Sequence, residues 1–186
     1  MAQTVVIYHS GYGHTQRVAQ FVAQGANAAL IAIDAEGNIS DADWAALDGA
    51  DAIIFGSPTY MGMASWQFKK FADASSKRWF SGAWKDKVAG GFTNSLSFAG
   101  DKANSLSSIL TLAMQQGMIW VGTGLAPGAH SNSDAAPDVV NRLGYYVGVA
   151  TQSDNAAPDI TPPPGDREFA RLYGVRITEI TTKMRG

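Results

Sequence analysis

The chain opens on a continuous apolar run, Val5-Val6-Ile7-Tyr8, rich in β-branched residues and followed by Gly11 and Gly13. It predicts a strand buried on both faces. From Thr15 the period lengthens. Val18, Phe21, Val22 and Ala26 fall at helical spacing, with Gln16, Arg17, Gln20 and Gln24 opposite and Gly25 near the end. Leu30-Ile31-Ala32-Ile33 reads as a second strand. Ser40-Asp41-Ala42-Asp43 opens a short helix, with Ser40 as its cap and acidic residues in its first turn. Asp51 to Pro58 is a third strand running into a loop. Residues 65–78 predict one amphipathic helix with Trp66, Phe68 and Phe71 inward. Lys87 to Thr93 is a fourth strand, and Gly90-Gly91 within it predicts a close backbone approach. A helix over 103–116, closed by Gly117, leads to a fifth strand from Met118 to Val121. Residues 122–164 are irregular, but they hold the apolar piece Tyr145-Tyr146-Val147-Gly148-Val149. After Pro162-Pro163-Pro164 a last helix over 166–183 has Phe169, Leu172, Val175, Ile177 and Ile180 inside.

Strands alternating with helices call for one parallel sheet covered on both faces, and residues 1–186 form a single domain. In such a sheet ligands bind beyond the carboxyl ends of the strands, where strand order reverses. The loops that matter are therefore 9–15, 57–62 and 93–101.

Composition narrows the chemistry. The net charge of −2 over 186 residues gives no basic footprint for nucleic acid or anionic membrane. The absence of cysteine excludes disulfides, thiolate catalysis and cysteine-ligated metals. His9, His14 and His130 show no metal-binding spacing. No run of about 18 apolar residues offers a membrane span. The chain enters its first strand with no basic or apolar leader, so a cytoplasmic protein is expected.

The first loop, Ser10-Gly11-Tyr12-Gly13-His14-Thr15, lies between a strand and a helix. A helix N-terminus offers unpaired N–H groups and about half a positive charge. The two glycines let those groups close around an anion, and Ser10 and Thr15 add hydroxyls. The loop holds no Lys or Arg, so it is not a P-loop, and no third glycine completes a dinucleotide fingerprint. A capped turn without a ligand is the alternative. In the second loop, Ser57-Pro58-Thr59-Tyr60-Met61-Gly62, Pro58 stiffens the strand exit, Gly62 permits an unusual turn, and Tyr60 and Met61 can line a flat ligand. The third, Thr93-Asn94-Ser95-Leu96-Ser97-Phe98-Ala99-Gly100, can meet the polar edge of a heterocycle with its backbone.

Together these residues resemble a known family. The first loop is similar to the flavodoxin phosphate loop T/S-x-T-G-x-T, and its Tyr-Gly-His resembles the WrbA-type NAD(P)H:quinone oxidoreductases. "DAIIFGSPTYMG", "WFSGAWKDKVAGGF" and "LAMQQGM" resemble further stretches of that family. The resemblance runs over residues 3–121 and the last helix. It implies a flavodoxin-like α/β three-layer sandwich, with a five-stranded parallel sheet in order 2-1-3-4-5. It also implies FMN held by residues 10–15, 58–62, 93–97 and Gly100, with Tyr12 on the nicotinamide side and Trp79 walling the substrate pocket. NADH or NADPH would be the donor, a small quinone-like molecule the acceptor, and a homodimer or homotetramer the assembly, with residues 122–164 over the flavin site or a subunit interface. The chain departs from the pattern at several points. Tyr60 stands at the family's arginine, Gln116 at a flavin-contacting histidine, and the insertion before the third strand is short or absent.

No catalytic acid–base pair stands out, which suits hydride transfer through a flavin. An electron-carrier flavodoxin is the rival reading, against which the weak net charge counts. A phospho-receiver lacks its carboxylates after strands one and three, and a serine hydrolase lacks its G-x-S-x-G.

Overall fold

The structure, a computed structural model, describes residues 2–129 and 135–186. His130 and the part of the 122–164 segment from 130 to 134 lie outside the described residues.

Strand β1 (Thr4–Tyr8) is buried along its whole length, as its apolar run predicts. Its side chains alternate between two cores. Val6 and Tyr8 pack toward helices α1 (His14–Ala26) and α6 (Pro164–Arg185), while Val5 and Ile7 face the layer that holds Leu47, Phe68, Phe71, Trp84 and Ile109. Strand β2 (Ala29–Ala32), β1, β3 (Ala52–Tyr60), β5 (Val88–Ser95) and β6 (Ile119–Trp120) stand side by side in that order, all parallel. This is the three-layer α/β arrangement with the strand order 2-1-3-4-5.

The edge position differs from the single fifth strand expected over Met118–Val121. β6 pairs only Val88 and Ala89 of β5, and a second segment, β7 (Val149–Gln152), pairs Phe92 to Ser95 farther along. Residues 121–148 are therefore an insertion into the edge strand. Tyr173 of α6 bridges the break: Gly91 N donates to its phenol oxygen at 3.2 Å, and the hydroxyl donates to Val121 O at 2.6 Å. Gly90 makes room, since a Cβ there would lie 2.5 Å from that oxygen, and the close approach predicted from Gly90-Gly91 is present.

Two glycines set the α1–α6 crossing. A Cβ on Gly25 would lie 1.9 Å from Arg171 O, and one on Gly174 would lie 2.1 Å from Val22 O. Helix α2 (Asp41–Gly49) starts as its sequence predicts, with Ser40 and Asp43 forming a reciprocal capping box.

The helix expected over 65–78 is two. α3 (Trp66–Ala74) ends at Ser75, and α4 (Ser76–Ser81) follows directly. The Ser75 hydroxyl bonds back to Ala72 O at 2.7 Å, a local alternative to helix continuation. Phe68 and Phe71 are buried as expected, but Trp66, at the first helical position, is 61% exposed. Helix α5 (Lys102–Gln115) closes the layer.

Candidate functional site

The loops after β1, β3 and β5 meet at the carboxyl ends of the strands around a cavity of about 280 Å³. Of the residues expected there, Ser10, Tyr12, His14, Thr15, Pro58, Thr59, Tyr60, Asn94, Ser95 and Leu96 line it.

The first loop ends on Gly13, which caps α1 at φ 88°, a left-handed conformation that suits glycine. No side chain caps this helix, and no acidic residue lies in its first turn. Helix α2 of the same chain has both. The N-terminus of α1 therefore keeps its positive end and free N–H groups for something else. Ser10 Oγ accepts from Gly13 N at 3.1 Å, which folds the loop. Gly11 passes so close to Tyr60 that a Cβ would lie 2.7 Å from the phenol oxygen. At the foot of the loop His9 is buried, and burial pushes its pKa down, so the imidazole is neutral.

β3 runs on into a hairpin with the short β4 (Met63–Ala64), Tyr60 facing Met63. Met61 and Gly62 form its two-residue turn, both at positive φ (48° and 78°), as a hairpin of this length requires. The unusual turn expected at Gly62 is there, with Met61 fully exposed at its tip. Tyr12 and Tyr60 meet edge to face at 6.1 Å and form an aromatic wall. Desolvation raises the Tyr60 pKa and keeps the phenol protonated.

Thr93 is buried and is not among the residues that line the cavity. Its hydroxyl pairs with that of Thr59 at 2.8 Å, and Thr59 pairs with Ser105 at 2.7 Å. Ser97 and Gly100 belong to the loop after β5, whose carbonyls are held from beneath. Lys102 is fully buried, and its ammonium donates to Ser97 O and Phe98 O. Burial brings its pKa down to about 8, with Asp166 opposing and Arg142 adding to the shift.

Sequence reasoning missed Ser153, Asp154 and Asn155, which complete the cavity wall. They follow β7, whose place beside β5 is a long-range pairing that no local pattern in the irregular segment reveals. His14 Nε2 contacts Ala156 O at 2.7 Å and ties this stretch to the start of α1. Two other expected residues lie elsewhere. Trp79, half exposed on α4, lines a separate hollow with Ser75, Leu112 and Gln116. Gln116, expected at a flavin contact, instead donates from Nε2 to Ser75 Oγ at 2.9 Å, beside the α3–α4 break. Among the described residues no cluster of metal-ligating side chains occurs, and no helix is long and apolar enough to cross a membrane.

The profile of the flavodoxin domain matches residues 5–118. Flavodoxin FldP of Pseudomonas aeruginosa (strain UCBPP-PA14) is 54% identical over 180 residues, covering 97% of each chain. The chain belongs to the flavodoxin family. The solved structure of a flavodoxin, WrbA-like protein from Agrobacterium tumefaciens superposes with a TM-score of 0.81 at 52% identity, covering 98% of this chain and 99% of that one. An NAD(P)H dehydrogenase (quinone) of Azorhizobium caulinodans is 30% identical across the full length of both chains.

The cofactor that a flavodoxin domain implies is FMN, and the residues present fit it. The uncapped α1 terminus with Ser10 and Thr15 suits a phosphate. Ser153, Asp154 and Asn155 suit the hydroxyls of a ribityl chain. The tyrosine wall and the 94–96 backbone suit a flat ring with a polar edge. No Lys or Arg lines the cavity, so the helix terminus and neutral donors would have to carry the phosphate.

Proposed function

We propose that this flavodoxin-family protein is an FMN-dependent oxidoreductase that takes hydride from NADH or NADPH and passes two electrons to a small quinone-like acceptor. The observation that carries the reading is the cavity at the strand ends, opened by an uncapped helix terminus and walled by Tyr12 and Tyr60. Bound FMN supplies the electron chemistry. The chain's part is to hold the phosphate at residues 10–15, to leave one ring face open beside Tyr12, and to offer backbone donors at the loop after β5. In this reading hydride and electron transfer run through the flavin, and no side chain of the cavity has to move a proton. The relatives named NAD(P)H dehydrogenase (quinone) support the acceptor class.

A carrier flavodoxin, which passes electrons without a substrate of its own, is the second reading. The relative named flavodoxin at 54% identity favours it. Anaerobic mixing of the FMN-loaded protein with NADH or NADPH separates the two. The enzyme reading expects the yellow absorbance to bleach within the turnover time and to return on adding benzoquinone, with ping-pong kinetics. Failure to bleach with either nicotinamide leaves the carrier. The assembly we propose is a homodimer or homotetramer, since the large apolar side chains Trp79 and Phe80 stand exposed on α4. A single monomeric species in sedimentation at micromolar concentration rules it out.

A further inference from the structure

A buried polar network runs from the edge-strand insertion to two residues that line the cavity. Arg142 comes from the insertion in the edge strand. It pairs with Asp166 in the first turn of α6, through Nε at 2.9 Å and Nη2 at 3.3 Å, and both side chains are nearly inaccessible. The same Nη2 donates to Gln152 Oε1 at 2.9 Å. Arginine has no acceptor, so the amide oxygen of Gln152 must face it and the NH₂ must face away. That NH₂ has two hydrogens and two acceptors: Leu96 O at 3.0 Å and Asp154 Oδ1 at 2.9 Å. Leu96 and Asp154 are on different loops, and both line the cavity. The guanidinium also lies 5.2 Å from the centre of the Phe98 ring in the loop after β5.

We propose that Arg142 is a positioning residue of the cofactor site, which acts through the Gln152 amide to fix the loop at Leu96 against Asp154 and so sets the width of the cavity. This inference rests on the FMN reading above. A buried ion pair is a poor source of stability, because desolvation offsets much of the attraction. Desolvation indeed pushes Asp166 toward its neutral form, against the pull of Arg142 and of the Gln152 N–H. What the pair provides is direction. It holds a donor-only group against one end of an amide and thereby orients the other end toward two binding loops. The insertion, otherwise a detour between β6 and β7, thus reaches the site without touching the ligand.

The test uses the purified full chain stripped of flavin and titrated with FMN by fluorescence quenching, with visible circular dichroism of the bound flavin as a second readout. Gln152→Glu keeps an acceptor for Arg142 and removes both donors to the loops. Gln152→Leu removes the link, and Arg142→Met removes its anchor. Each is expected to weaken FMN binding about tenfold, as the loss of a buried hydrogen-bonded bridge implies, and to alter the flavin dichroism. Arg142→Met added to Gln152→Leu should weaken binding no further, because the two act in series. Should Arg142→Met fail to fold, Gln152→Glu leaves the ion pair in place and still decides the matter. Folded Gln152 variants with unchanged FMN affinity and dichroism overturn the proposal, and so do additive losses in the double variant. Wild-type protein that does not quench FMN at all fails the cofactor reading instead.

Discussion

Tyr173→Phe removes one oxygen atom from the place where the sheet's edge is broken. In the wild type that oxygen accepts from Gly91 N and donates to Val121 O, and the side chain is fully buried. Burial pushes the phenol's pKa far above its ordinary value, so it remains a donor at any working pH. Phenylalanine keeps the ring and its packing against Val18, Phe92 and Phe169 in the same core. It leaves one N–H and one C=O without partners in a dry site, and each such group costs about 1–3 kcal/mol. The sum is about 2–6 kcal/mol, since neither group can reach water without opening the sheet. With a urea slope of about 2 kcal/mol per molar for a domain of this size, the unfolding midpoint should fall by about 1–3 M with the slope unchanged. Far-UV circular dichroism through a urea series reads this directly. A midpoint within about 0.3 M of wild type would mean that the phenol is not what closes the break.

Three further outcomes follow from the same geometry. Thr15→Val takes a hydroxyl from the proposed phosphate site, and losing a hydrogen bond to a charged group, about 1.5–3 kcal/mol, should weaken FMN binding about ten- to a hundred-fold in fluorescence titration. Lys102 has its folded pKa lowered from 10.5 to about 8, so its charge costs stability below pH 8, and that cost is relieved as pH rises from 8 toward 10.5. The urea stability of wild type relative to Lys102→Met should therefore improve by about 1–3 kcal/mol between pH 7 and pH 10, and a difference independent of pH would show that the ammonium is not desolvated. Gly25→Ala drives a methyl into the Arg171 carbonyl, where backbone cannot step aside, and should lower stability by about 2–3 kcal/mol in thermal unfolding while leaving the cavity residues in place.

Much of the fold is written in local pattern. β1 is legible because Val5 to Tyr8 satisfy both faces at once, and α2 because Ser40 and Asp43 sit three apart, where a capping box must put them. The failures have physical causes. The helix expected over 65–78 breaks where the Ser75 hydroxyl takes Ala72 O and Gln116, just after α5, holds Ser75. A helical period cannot register a contact 41 residues away. Trp66 has the right spacing to face inward, but it stands at the first position of α3, where the side chain has no preceding turn to lie against. β7 escapes detection because Val149-Ala150-Thr151-Gln152 is short and half polar. It is a strand only because β5 offers it an unpaired edge. The same cause hides Ser153 to Asn155 from any reading of the site by motif. The first three loops were legible because each follows a strand that the pattern itself reveals.

The mouth of the cavity bears on which electron acceptor the protein serves. Tyr12 is 77% exposed and Met61 wholly so, and Leu96 and Phe98 stand largely exposed on the facing loop. Asp154 is the one charged side chain among the residues that line the cavity. A protein partner is ordinarily steered by a field of one sign around the site, and a chain of net charge −2 with an apolar rim supplies little of it. An uncharged planar ring needs no steering. Burying about 150 Å² of aromatic surface against such a rim yields about 3–4 kcal/mol, and the freedom lost on association offsets part of it, so the ring binds no tighter than about the millimolar range. In the oxidoreductase reading proposed above, such an affinity would let the reduced product leave quickly, and a nicotinamide on the same face would leave for the same reason. The rim that makes a poor dock for a protein thus suits two small molecules that take turns on one open face, and this is why the quinone-like acceptor stands ahead of the carrier partner in the reading proposed.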